Sequence, residues 1–207
     1  MTKIVFIGDS ITNGGGDVTT AAYPFPQIAR DVTGYNTVNA GVPGDTTSDM
    51  VTRFDTDVIA ESPDYVVILG GINDILTSVS LPTIEDNLST MITAANTASI
   101  DPVLCMLTPC NSKTSEVSQL NSWIANYGLA NHFPVVDLFT PLVDPTTPGN
   151  LATIYNFGDD IHPNQAGHEI IAAGINEVAF NIPQRLQIAR YGIFYYNMTL
   201  WNRVNKL

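Results

Sequence analysis

The sequence is poor in charge, and poorest in positive charge. Of 207 residues 14% are charged, with 8 Lys or Arg against 20 Asp or Glu and a formal net charge of −12. A chain this acidic repels nucleic acid and anionic membrane surfaces, which sets both aside as partners. Cysteine is scarce. Cys105 and Cys110 flank the end of one apolar run, "PVLCMLTPC", with no second pair and no Cys/His cluster beside them. A zinc site is therefore not expected, and the two read as buried or half-buried thiols. No apolar run approaches the roughly 20 residues that a membrane-spanning helix needs. The first apolar run begins at residue 3 or 4, which leaves no room for a signal peptide; the expectation is a cytoplasmic protein or one part of a larger assembly. Neither G-x-x-x-x-G-K-[ST] nor a G-x-G-x-x-G after a strand occurs, so a nucleotide-binding role is disfavoured.

What is present is a core. Apolar residues make up 44% of the chain, enough to exclude disorder for most of it. Short apolar runs alternate with longer stretches of helical character. The pattern predicts strands over 4–7, 37–39, 65–69, 103–107 and 135–137, and helices over about 23–32, 48–59, 84–98, 115–130 and 165–180. None of the strands shows a clean polar/apolar alternation, which is how buried parallel strands read. Strict alternation of strand and helix implies a three-layer α/β/α sandwich around a five-stranded parallel sheet. The expected order is flavodoxin-like, 2-1-3-4-5.

In such a sheet ligands bind beyond the carboxyl ends of the strands. The polar clusters fall there: "GDS" after the first strand, "AGVPGDTTS" after the second, "GGINDI" after the third, and "DDIHPN" after the fifth. Acyl transfer needs a nucleophile, a base, a group to orient that base, and donors for an oxyanion. Ser10 supplies a hydroxyl at the end of the first strand. Of the three histidines, only His162 falls on the same rim, and Asp159 precedes it by three residues. The N–H groups of Ser10 and Gly44, with the Asn73 side-chain amide, are candidate oxyanion donors. Plainer readings stand beside these: Gly44 as the glycine of a type II turn in "PGD", Asn73 as a cap or turn residue. Asp9 reads as structural, and Asp45 as a hydrogen-bonding residue of its own loop. His132 is expected on the opposite rim, and His168 against solvent or its own helix.

The four clusters "GDSIT", "GVPGDTTS", "GGIND" and "DDIHPN" resemble, in order and across residues 7–168, the sequence blocks of the SGNH hydrolases, also called GDSL esterases. The resemblance implies Ser10 as nucleophile, Gly44 and Asn73 as oxyanion donors, and Asp159 and His162 as the remaining triad members. It also implies no metal and no organic cofactor. Two departures are local: the tetrad ends in Ile11, and a second carboxylate, Asp160, adjoins Asp159. Asp159 is preferred because it keeps the three-residue offset from His162.

The crossovers are short and offer no insertion that could form a lid, which favours small acyl groups. The predicted activity is serine esterase, with an O-acetylated saccharide as first substrate and a lysophospholipase, a thioesterase or a non-catalytic binding module as alternatives. Tyr155 and Phe157 could stack on a sugar or pack onto the sheet. The expected division is a catalytic domain over residues 1–183 and a tail over 184–207. That tail holds Arg185, Arg190, Arg203 and Lys206, no acidic residue, and the aromatics Tyr191, Phe194, Tyr195, Tyr196 and Trp201. It reads as a segment that folds back on the acidic body or docks on a second copy or a partner protein.

Overall fold

A computed structural model describes residues 1–14 and 24–180. The tail over 184–207 lies outside the described residues. Five parallel strands form one sheet: β1 (Lys3–Gly8), β2 (Asn36–Gly41), β3 (Tyr65–Leu69), β4 (Asp101–Cys105) and β5 (Val135–Val136). Their order is β2-β1-β3-β4-β5, as the alternation of strand and helix predicts. Ile4, Val5, Phe6 and Ile7 of β1 are wholly buried because the strand is paired on both sides, to β2 and to β3.

The helices are α1 (Ser10–Asn13), α2 (Phe25–Thr33), α3 (Thr47–Asp57), α4 (Ile72–Leu76), α5 (Leu81–Thr97), α6 (Thr114–Asn131) and α7 (Gln165–Phe180). Thr46 and Asp49 close a reciprocal capping box at the start of α3, which satisfies two backbone donors that have no carbonyl to reach. α5 begins a turn earlier than its acidic residues suggest. Ser80 caps it and Pro82 occupies its first turn, where a missing N–H costs nothing. α1 and α4, of four and five residues, had no counterpart in the sequence reading; both follow directly on strands at the functional rim.

Two strands differ from expectation. β2 is an edge strand and none of its six residues is fully buried, so its lack of alternation does not signal a buried strand. β4 starts at Asp101 rather than Val103 and takes in Pro102. The Asp101 N–H points to Asp64 of the β3 side, so the position after it faces β5. That strand pairs only with Leu104 and Cys105, and a proline is tolerated where no partner waits for its N–H.

Candidate active site

The site begins where β1 stops. A Cβ at Gly8 would lie 2.1 Å from the Thr12 Oγ1 position and 2.5 Å from the Leu69 carbonyl oxygen, so only glycine lets the chain turn this tightly into α1. Asp9 caps that helix, its Oδ1 accepting from the Ile11 N–H at 2.9 Å. Ser10 is the first helical residue, so its own N–H has no intrahelical carbonyl to bind. Its side chain is nearly buried, at 6% exposure, and Oγ lies 2.7 Å from Nε2 of His162.

His162 comes from the far edge of the sheet, on the segment between β5 and α7. There Asn156 and Pro163 form an isolated antiparallel bridge. Between them the chain turns through Gly158 and Asp160, both with positive φ. Asp159 organises this turn. Its Oδ1 accepts from the N–H of Ile161 at 3.0 Å and of His162 at 2.8 Å, and its Oδ2 meets Nδ1 of His162 at 2.5 Å. Partial burial pushes the Asp159 carboxyl up, but the hydrogen bonds and the imidazole charge outweigh it and the net shift is downward. An ionised carboxylate only accepts, so it fixes the proton of a neutral ring on Nδ1. Nε2 is left bare to accept from the Ser10 hydroxyl. Asp160 points elsewhere, to the Asn156 amide at 2.7 Å.

Gly44 and Asn73 stand on the next two loops. The Asp45 N–H donates to the Val42 carbonyl at 3.2 Å, and Gly44 has φ +87°. This is a type II turn with glycine at its obligatory position. The demand for glycine is conformational, since a Cβ there would meet nothing within 4 Å. Among the described residues no acceptor takes the Gly44 N–H. Asn73 donates one amide hydrogen to the Asp45 carbonyl at 2.9 Å, which ties it to the turn and leaves its second hydrogen for another acceptor.

Arg53, which the sequence reading passed over, holds these parts in place. Its guanidinium reaches Asp45 at 2.6 Å, the Ala40 carbonyl and Asp57 at 2.8 Å each, and the Gly8 carbonyl at 2.9 Å. The ends of β1 and β2 and the Gly44 turn thus converge on one side chain. Asp45 therefore bonds across to α3 rather than only within its loop. The signal that could have found Arg53 is scarcity: it is one of four basic residues before position 184. Asp74 works similarly beneath Asn73. Wholly buried, it accepts from the Thr47 N–H and hydroxyl at 2.8 and 2.7 Å.

The electrostatics of the corner are acidic. Burial raises the Asp9 carboxyl from 3.8 to about 6, with the Ile11 N–H and His162 pulling it down and Asp45 and Asp74 pushing it up. Among the described residues, the two cations of this rim are engaged: Arg53 with Asp45 and Asp57, Lys113 with Glu116. His168 is excluded from solvent, one of its two expected surroundings. It is buried and stacks on Phe25 of α2, with ring centroids 5.9 Å apart, and burial lowers its pKa to about 4. His132 is exposed just before β5, on the opposite rim. Tyr155 packs against the core, while Phe157 is 41% exposed.

Comparison with known proteins shows the family. The family model of the GDSL-like lipase/acylhydrolase family matches residues 6–170. The chain belongs to that family. It is a carboxylic ester hydrolase. An acetylxylan esterase of Geobacillus stearothermophilus is 28% identical over 208 residues, covering 86% of this chain and 94% of that protein. A lipase/acylhydrolase from Enterococcus faecalis is 30% identical with a TM-score of 0.71, over 84% of this chain and 93% of the other. A G-D-S-L family lipolytic protein from Desulfitobacterium hafniense is 25% identical with a TM-score of 0.77, over 90% and 99%. No described helix of this GDSL-family chain is long and apolar enough to cross a membrane.

Proposed function

We propose that the protein is a serine esterase for small neutral acyl esters, first among them O-acetylated saccharides, with Ser10 as nucleophile, His162 as general base and acid, and Asp159 as the residue that orients the imidazole. The observation that carries this reading is the unbroken line Ser10 Oγ, His162 Nε2, His162 Nδ1, Asp159 Oδ2, with contacts of 2.7 and 2.5 Å.

The reaction follows from that line. Oγ attacks the ester carbonyl as its proton passes to Nε2. The tetrahedral oxyanion is met by the N–H groups of Ser10 and Gly44 and by the free amide hydrogen of Asn73. Collapse breaks the bond to the alcohol, which leaves with the proton from His162, and the acyl group remains on Ser10. Water then attacks the acyl-enzyme, gives its proton to Nε2, and the acid departs as Oγ is reprotonated. Asp159 stays ionised and stabilises the imidazolium in both steps.

The choice of substrate rests on charge and size. Both cations of the rim among the described residues are already paired, and several carboxylates surround the site. Among the described residues, a phosphate-bearing alcohol, as in a lysophospholipid or a nucleotide thioester, finds no unpaired cation there. The acetylxylan esterase relative supports an acetyl ester of a sugar. Acetate release from acetylated xylo-oligosaccharides, measured beside octanoyl esters and with Ser10→Ala, tests the reading. Acetate release by the wild type alone supports it; preference for the octanoyl esters, or activity surviving in Ser10→Ala, overturns it.

A further inference from the structure

Phe157 is a large aromatic residue that the fold does not use. It is 41% exposed. Its neighbours Tyr155 and Ile161 are partly buried and pack against the core, and among the described residues Phe157 pairs with no other ring. Yet its backbone is held firmly. The Phe157 N–H donates to the His162 carbonyl at 2.9 Å and the Asn164 N–H donates to the Tyr155 carbonyl at 2.7 Å. Asn156 accepts from the Gly158 N–H at 2.7 Å on one side, and Asn164 donates to the Asn156 carbonyl at 3.2 Å on the other. An exposed apolar ring on a rigid support is preorganised for a ligand.

Its position says which part of the ligand. The bridge pairs Asn156 with Pro163, so Phe157 lies directly opposite His162. Residues opposite each other in an antiparallel pair project from the same face, with Cβ atoms about 5 Å apart. Pro163, on the other face, is buried, which leaves Phe157 and His162 on the open side. The leaving oxygen of the ester must come within hydrogen-bonding reach of Nε2, because His162 is to protonate it. The alcohol half of the ester therefore passes beside Phe157, while the Gly44 and Asn73 loops take the carbonyl oxygen.

We propose that Phe157 is the platform on which the alcohol half of the substrate rests, its ring covering the apolar C–H face of a pyranose. The inference depends on the Ser10–His162 mechanism proposed for this site. Steady-state kinetics of wild type, Phe157→Ala and Phe157→Trp on an O-acetylated xylopyranoside, cyclohexyl acetate and ethyl acetate test it. Phe157→Ala is expected to lower kcat/KM for the two ring alcohols about tenfold, through KM, and to change ethyl acetate by less than about twofold. Phe157→Trp is expected to retain the preference for rings. An equal loss on all three esters, a loss confined to kcat, or no loss on the ring esters overturns the platform. Should the wild type turn over cyclohexyl acetate but not the pyranoside, and Phe157→Ala remove its preference for cyclohexyl over ethyl acetate, the platform stands and the saccharide reading falls.

Discussion

Arg53 and Asp45 meet at 2.6 Å, and through that contact the two halves of the proposed oxyanion site are fixed to each other. The same guanidinium binds the carbonyl of Gly8, two residues before Ser10, and Asp45 follows Gly44 directly. Arg53 is only 16% exposed, so its removal leaves two carboxylates and two carbonyls short of a donor. Arg53→Ala is expected to destabilise the fold by about 2 kcal/mol and to lower kcat more than it changes KM. Arg53→Lys is expected to recover little, because an ammonium cannot span partners set for a planar fork. Urea unfolding and steady-state kinetics of both variants check this; a lysine variant equal to wild type in both would contradict it.

The adjacent carboxylates Asp159 and Asp160 separate cleanly by substitution. Asp159→Asn keeps a hydrogen-bonding group in place but allows the wrong imidazole tautomer, and kcat is expected to fall on the order of 10⁴-fold. Asp160→Asn disturbs only the bond to Asn156 and is expected to cost less than about tenfold. Comparable losses in the two variants would show that the hydrogen bond from Nδ1 does not carry the role given to it.

Asn73→Ala removes the tie to the Asp45 carbonyl together with a second amide hydrogen that matters only once negative charge appears on the carbonyl oxygen. A loss of about 10² to 10³ in kcat with little change in KM is expected. An effect mainly on KM would place Asn73 in ground-state binding instead.

Asp9 carries a pH signature of its own. Burial lifts its carboxyl from 3.8 to about 6 in the folded protein. Between those values the folded state binds a proton that the unfolded state has released, so this group makes stability fall as pH rises from 3.8 to 6 and leaves a constant penalty above. Asp9→Asn can still accept from the Ile11 N–H but has no charge to bury. It is expected to unfold at a higher temperature than wild type at pH 7.5 and at nearly the same temperature at pH 4. Thermal unfolding of both proteins across pH measures this; a constant gap in unfolding temperature across pH would contradict it.

Much of this was legible in the sequence, for a physical reason. A buried strand such as Ile4–Ile7 must end before polar residues begin, so "GDS" marks both a strand end and a site. The same holds for "GGIND" after β3. His162 and Asp159 were legible because three residues suffice for a carboxylate to fold back onto a ring. The short helices α1 and α4 were not, because four or five residues show no helical period. Arg53 was not, because its partners Gly8, Ala40 and Asp45 lie on other segments and are brought to it only by the sheet. The burial of His168 on Phe25 of α2 was not legible, because a histidine within an apolar helix looks polar in sequence and its stacking partner lies on another helix.

The most direct test of the central claim is covalent labelling. Incubation with a fluorophosphonate, followed by peptide mass mapping, is expected to place a single adduct on Ser10, with labelling abolished in His162→Ala at equal reagent concentration. An adduct on another hydroxyl, or Ser10 labelled as fast without His162, would contradict an imidazole-activated serine.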